Sequence, residues 1–306
     1  MLVLIAGVTG NLGQKLVYSL STRGHQVRGL GRSPEKLAAE THDLLESFVQ
    51  YSNYYDVAAL DRACAGVDAV ICAYGMIPVL QLDGQLLLLR AAERAGIKRF
   101  VADSWTHDWR NAPLGHHESY DPYLSFRHQT ELSSNIKPVY MFTGVFAETL
   151  FSIPNHGHFG VDGSNIWDMN HERIKIWGTG HEPFYWTTEN DAAEFTAEII
   201  QRDDAERGGI WNVCSGTHSL TETARLYEKE RNKKVIVQMM GTVEQLREVS
   251  SKAREQGEMR RYEAYIGWSY QFHAIGGTWI FNKLDNDKLN VQPTSMEAFL
   301  KEHPEL

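Results

Sequence analysis

The chain has 306 residues, room for one large domain or two modest ones, and its 42% hydrophobic content suits a soluble globular protein. Thirty basic against thirty-nine acidic residues leave a net charge of −9, and no strong basic patch stands out, which argues against a nucleic-acid partner. The widely spaced Cys64, Cys72 and Cys214 form no CxxC pair or disulfide framework, and no apolar run approaches the ~18 residues of a membrane span. The expectation is a cytoplasmic protein with no membrane partner, since the apolar N-terminus runs into a glycine turn without a basic stretch or cleavage site.

The first 150 residues alternate apolar strand runs with helical patterns, which predicts a doubly wound parallel sheet. Leu2 to Val8 is an apolar strand, and Asn11 to Arg23 a helix with Leu12, Leu16, Val17 and Leu20 at helical spacing. Strands follow at 25–30, 48–52, 69–73, 98–104 and 139–145, with helices at 57–65, 80–95 and 120–135. Ser33 and Pro34 have the types of an N-cap and first helical position.

Beyond residue 150 the rhythm breaks. Residues 152–182, rich in Gly, Asn, His and Trp, read as a long loop with one short strand at 174–177. Helices are predicted over 191–201, 219–229 (from a Ser cap), 242–257 and 294–302, and strands over 209–213 and 234–239. The predicted division is a nucleotide-binding domain over 1–150, with 184–216 returning to it, and a smaller α/β lobe and lid from 151–183 and 217–306. Trp167 and Trp177 would wall a hydrophobic substrate or cover an exposed sheet edge.

Between the first strand and helix lies "GVTGNLG", residues 7–13. Gly7 and Gly10 permit a tight turn and close backbone approach to a pyrophosphate, and Gly13 lets the helix pack on the strand. Thr9, Asn11 and Leu12 complete this candidate phosphate turn. The second strand ends in Val27-Arg28-Gly29-Leu30-Gly31-Arg32, without the acid that commonly holds the ribose 2′-hydroxyl of NAD. Arg32, and secondarily Arg28 or Lys36, can instead pair with a 2′-phosphate, which favours NADP(H).

"GVTGNLG" at the N-terminus, "VRGLGRSPEKL" after strand two and "RAAERAGIKRFV" entering strand five resemble the NmrA-like and isoflavone-reductase-like families, atypical short-chain dehydrogenases/reductases. "FTGVFAETL" at 142–150 resembles their nicotinamide-side segment, "PFYWTTENDAAEF" their return to the sheet, and "NVCSGTHSLTETARLYEKERNKKV" a shared lobe segment. The resemblance implies a Rossmann domain with a small α/β substrate lobe, NADP(H) as cofactor and a cleft between the two. Ala73, Tyr74, Gly75, Asp103, Gly144, Val145 and Phe146, at the strand ends, join the expected cofactor-binding set.

The resemblance also implies a catalytic constellation of a strand-end hydroxyl, a tyrosine and a cation that lowers the phenol's pKa. Ser104, Tyr123 and Arg127 stand in those places, with arginine where lysine is usual. Arginine stabilises an anion but cannot donate or accept the proton, so Tyr123, or Tyr120, His107 or His128, must supply it. The plainer reading is a surface helix in which Tyr123 packs and Arg127 pairs with Glu131. Ser104 can equally be an ordinary strand-end hydroxyl. His116-His117 and His156-Gly157-His158 lack companions at ligand spacing and read as loop histidines, so no metal is expected. The function that follows is NADPH-dependent reduction of a C=O or C=C in a small, hydrophobic, aromatic or polyketide-like metabolite, with a homodimer left open. The alternatives are a nucleotide-sensing regulator and a non-redox isomerase or cyclase on the same scaffold.

Overall fold

The computed structural model describes residues 1–75, 77–157 and 164–306. Its main sheet contains seven parallel strands: β1 (Leu2–Ala6), β2 (Gln26–Gly31), β3 (Ser47–Gln50), β4 (Ala69–Cys72), β5 (Arg99–Val101), β6 (Val139–Phe142) and β11 (Gly209–Asn212). Their order is β11-β6-β5-β4-β1-β2-β3, so the chain winds outward in both directions from β1 and β4.

The strand sequences explain why both faces are covered. Successive side chains point to opposite faces, and in β1 the alternation divides them between two cores. Leu4 and Ala6 join the core over α3 (Val57–Cys64), α4 (Gln85–Arg94) and α5 (Asp121–Ser133). Val3 and Ile5 join the core under α1 (Asn11–Thr22) and α7 (Glu189–Ile200). A strand buried on both sides has no polar face, hence the continuous apolar run.

The remaining strands form two small sheets. One, in the order β12-β10-β7, joins Gly216–His218, Phe184–Thr187 and Val145–Phe146. The other, in the order β13-β9-β8, joins Ile236–Gly241, Arg173–Trp177 and Trp167–Asp168. The short helices α2 (Ala39–Asp43) and α6 (Ala147–Leu150) complete the first half. The second half adds α8 (Leu220–Arg231), α9 (Val243–Gln256), α10 (Ile266–Ile275) and α11 (Met296–Glu302). α8 starts at the expected serine: Ser219 and Glu222 form a reciprocal capping box, and Asn232 ends the helix at φ +50°. Among the described residues no helix is long and apolar enough to cross a membrane.

Four local differences from the sequence expectation matter. β5 ends at Val101 rather than 104, leaving residues 102–105 irregular before a single bridge from Thr106 to Phe142. Residues 80–84 begin the predicted helix as a π turn, which carries Gln81 into the interior. Ser33 makes no cap bond, and Pro34–Lys36 is a single 3₁₀ turn. Helix α10 was not predicted, because Ile266, Gly267, Ser269, Gln271 and Ala274 are all buried and leave no apolar stripe to read. Trp167 is buried against Phe151 and Tyr227, and Trp177 meets Trp268 edge-on, so neither walls the cleft. The expected lid also includes 158–163, outside the described residues.

Candidate active site

The glycine turn is sterically committed. Gly7 sits at φ +83°, and a Cβ there would lie 2.2 Å from the carbonyl oxygen of Ala73 at the end of β4. A Cβ on Gly13 would lie 2.4 Å from Gly7 O and 2.8 Å from Val8 Cα. The Gly10 N–H donates to Gly7 O at 3.0 Å, and no side chain caps α1, so its first N–H groups have no side-chain partner at the helix cap.

A cavity of about 410 Å³ opens beside this turn. It is lined by Gly10, Asn11, Leu12 and Gly13, then by Ala73, Tyr74 and Gly75 after β4, Asp103 after β5, and Gly144, Val145 and Phe146 after β6. Gly7 and Thr9 lie behind this wall, Gly7 against Ala73 and Thr9 close to Gly31. The cavity also meets Trp105, Thr106, His107, Tyr123, Thr149, His156, Gly157, Glu189 and Tyr270. Trp105, Thr106, Thr149, Glu189 and Tyr270 escaped the sequence reading. Tyr270 lies on the unpredicted α10, and Trp105 and Thr106 just past the segment taken as strand five.

The two arginines of β2 separate. Arg28 Nε donates to Ser47 Oγ at 3.0 Å and Nη1 to Ala63 O at 3.1 Å and Ala65 O at 2.7 Å. Glu46 also approaches it at 3.5 Å. This guanidinium ties β2 to β3 and to the end of α3, so the expectation that it meets a nucleotide gives way. Arg32 lies exposed past the end of β2, and its guanidinium has no hydrogen-bond partner among the described residues. Its carbonyl is held by Gln50 Nε2 at 2.8 Å.

The expected catalytic set does not assemble. Arg127 Nε donates to Glu131 Oε1 at 2.8 Å along the solvent face of α5, the plainer pairing that the spacing also allowed. Ser104 is fully buried and off the cavity wall. Its Oγ donates to Ala102 O at 3.0 Å and accepts the Met141 N–H at 2.8 Å. It bridges β5 and β6 where their ladder ends, at the single Val101–Val139 pairing. A hydroxyl spent on two backbone groups is a structural brace.

Tyr123 does reach the cavity. Its ring stacks on Trp109 at 5.7 Å, and its oxygen accepts Gln81 Nε2 at 2.6 Å. Gln81 O accepts Gln85 Nε2 at 2.9 Å, and Gln85 Oε1 accepts the Asp103 N–H at 2.7 Å. This buried relay links α5, the π turn, α4 and the loop after β5. Burial, then the nearby Asp103, push the phenol well above the ordinary tyrosine range.

Most of the surrounding groups are neutral. Burial raises the Asp103 carboxyl well above the usual carboxylate range. It also lowers His107 to about 3 and His273 to about 4, with His117 well below its ordinary value. His107 stacks on Trp279 at 4.5 Å, and His117 on Tyr120 at 4.5 Å. Tyr120, whose hydroxyl lies 2.8 Å from Thr106 Oγ1, is wholly buried and off the wall, as is His117. His117 thus lies in the loop before α5, as expected, but packs in the core. His158 lies outside the described residues, and among those described no three His, Cys, Asp or Glu side chains are arranged to hold a metal.

Beside the glycine turn, His156 Nδ1 lies 3.1 Å from Asn11 Nδ2 and 3.0 Å from Glu189 Oε1, and its single site serves one of them at a time. The Glu189 N–H donates to Glu148 Oε1 at 3.0 Å. Burial, with the charge of Glu189 second, lifts Glu148 from 4.5 to about 7. A folded-state value above the unfolded one gives stability that is full below the unfolded range and is lost as pH rises through the folded value. The difference corresponds to on the order of 3 kcal/mol. Glu148→Gln, which keeps the acceptor, should flatten the decline of unfolding free energy between about pH 5 and 8. Urea titrations across that range check this, and an unchanged slope would contradict it.

A profile of the NmrA-like family matches residues 1–300. A bifunctional pinoresinol-lariciresinol reductase of Linum usitatissimum is 27% identical over 215 residues, 66% of this chain and 65% of that protein, so the match spans just under two thirds of the relative. The photosystem II assembly factor Ycf39 of Synechocystis is 28% identical over 239 residues, covering 75% of this chain and 67% of that one. The solved structure of AtPrR2 with NADP+ and (+)pinoresinol shares the fold, with a TM-score of 0.74 at 20% identity over 98% of this chain and 97% of that one. With nearly its whole length matched and its glycine turn, parallel sheet and cleft in place, the chain belongs to the NmrA-like family.

Proposed function

We propose that this protein is an NADPH-dependent reductase of a small aromatic metabolite, acting on a C=O or C=C bond. The observation that carries it is one cavity running from the glycine turn to a wall of Tyr123, Trp105, His107 and Tyr270. The similarity to the Linum reductase, and the likeness in fold to a protein solved with NADP+ and (+)pinoresinol, support the reading. So does a turn whose Gly7 and Gly13 leave no room for a Cβ, as the tight turn and close helix–strand packing of a dinucleotide-binding unit require.

In this reading residues 1–150 and 184–216 hold the nucleotide, and 151–183 with 217–306 complete the substrate lobe. Gly10 to Gly13 and the start of α1 cradle the pyrophosphate, Arg32 meets the 2′-phosphate, and Ala73 to Gly75 and Gly144 to Phe146 flank the nicotinamide end. When bound, the cofactor supplies a hydride. Tyr123 oxygen already accepts from Gln81, so its own O–H is free to donate to a substrate oxygen and hold it in place.

Two measurements test this. Calorimetry should show NADPH binding more tightly than NADH. Arg32→Ala should cost about 10- to 100-fold in NADPH affinity, the worth of hydrogen bonds to a charged group, and leave NADH unchanged. Equal losses for both nucleotides would remove the 2′-phosphate assignment. NADPH oxidation in the presence of aromatic ketones and enones tests the reaction itself.

A second reading is favoured by one observation. Tyr123 has no cation against its hydroxyl among the described residues, as fits a protein that binds the nucleotide without turning it over. Tight NADPH binding with no oxidation against any carbonyl or enone would select this sensor.

A further inference from the structure

We propose that Asp103 is the general acid of this site, delivering its carboxyl proton to the substrate oxygen while Tyr123 holds that oxygen in place. The proposal rests on the reductase reading and adds the group that completes it. Asp103 follows β5 on the cavity wall, at the carboxyl edge of the sheet where Ala73 to Gly75 also end. Its backbone N–H is anchored by Gln85, and the relay through Gln85 and Gln81 to Tyr123 sets the position of one donor against the other.

The carboxyl itself is unanswered. No arginine, lysine or hydrogen-bond donor engages it among the described residues, and Oδ2 is closed from solvent without a partner. A carboxylate left so would be a buried charge with nothing to compensate it, the form that burial disfavours. The neutral acid is the stable form, and a neutral carboxylic acid carries a proton to give. The titratable groups facing it are Cys72 from β4 and Tyr123 from α5, both held neutral by burial. Gln81 and Gln85 add no charge.

Competing donors are weaker. Tyr123 starts from a higher pKa than any carboxyl and lacks the cation that would stabilise its phenolate. Both ring nitrogens of His107 are closed off and unpartnered, and burial keeps its imidazole neutral. His156 is engaged at the phosphate end by Asn11 and Glu189.

The step balances as follows. The cofactor, when bound, would supply the hydride for the new C–H bond at the carbonyl carbon. The C=O π pair moves to oxygen and takes the Asp103 proton, and the Asp103 carboxylate regains a proton from water. The co-reactant is NADPH, and the products are the alcohol and NADP+.

The test uses the full-length protein. Infrared difference spectra of wild type against Asp103→Asn, without nucleotide, should show a protonated-carboxyl C=O band near neutral pH that the variant lacks. With NADPH and acetophenone or chalcone as probes, Asp103→Asn should lower kcat by about 10²- to 10⁴-fold, far more than it changes NADPH affinity. The wild-type kcat should fall as pH rises through the carboxyl's titration, and Asp103→Glu should recover part of the rate. Absence of that band from the wild-type-minus-variant difference overturns the proposal whatever the turnover. Full kcat in Asp103→Asn also overturns it. A band in a wild type that oxidises NADPH with neither probe overturns the reductase reading and, with it, any catalytic role for this acid.

Discussion

Gly7→Ala should abolish measurable NADPH binding and lower the unfolding free energy by about 2–5 kcal/mol. Two costs combine. The position requires φ +83°, where an L side chain costs about 1–2 kcal/mol. The new Cβ would then lie 2.2 Å from Ala73 O and 2.8 Å from Ala73 C, both backbone atoms that no rotamer change can move aside. Overpacking of this kind adds about 1–3 kcal/mol. The strain falls where the turn after β1 meets the end of β4, and both segments border the cavity. Gly75→Ala is the contrast: its Cβ would meet nothing within 4 Å and its φ is not positive, so stability should hold. Chemical denaturation and calorimetry with NADPH read both. A Gly7→Ala protein that binds NADPH normally would remove the turn from the account.

The second large effect is at Tyr123. Tyr123→Phe should lower kcat by about 10²- to 10³-fold, the usual loss on deleting a donor aimed at a developing oxyanion. It should also cost about 1–3 kcal/mol of stability, because Gln81 Nε2 loses its acceptor in a buried site where Gln81 Oε1 already has no partner among the described residues. Arg127→Ala should leave kcat unchanged and stability within about 0.5 kcal/mol, as expected for a surface i,i+4 pair. A large loss of activity in Arg127→Ala would restore the tyrosine–arginine pair and contradict the relay through Gln81.

These two sites also show how far sequence carries. The glycine-turn half is legible because its constraints are local: three glycines, an apolar strand and an amphipathic helix lie within the first 22 residues, and each physical requirement leaves a residue type behind. The parallel sheet is legible for the same reason, since strands buried on both faces cannot alternate. The chemistry at the far end of the cavity is not local. Whether Ser104 faces the cavity or the sheet depends on where the β5–β6 ladder stops, which no pattern within 98–104 encodes.

Arg127 shows the same limit. Helical spacing put it equally close to Tyr123 and Glu131, and only the orientation of α5 against the sheet decides between them. Gln81 reaches Tyr123 through a π turn, which shifts the register that an α-helical reading assigns to residues 80–84. Tyr270 comes from a helix whose apolar and polar residues are both buried, so that periodicity has nothing to detect.

The central claim is that hydride passes from NADPH to an aromatic substrate in the cavity beside Tyr123. Turnover of an aromatic ketone or enone with NADPH carrying deuterium at nicotinamide C4, followed by mass spectrometry of the product, tests it most directly. The account predicts one deuterium on product carbon, in step with NADPH consumed, from one of the two C4-labelled epimers only. Product without label, or NADPH bound and never oxidised, would contradict it: the first points to non-redox chemistry on this scaffold, and the second to a sensor.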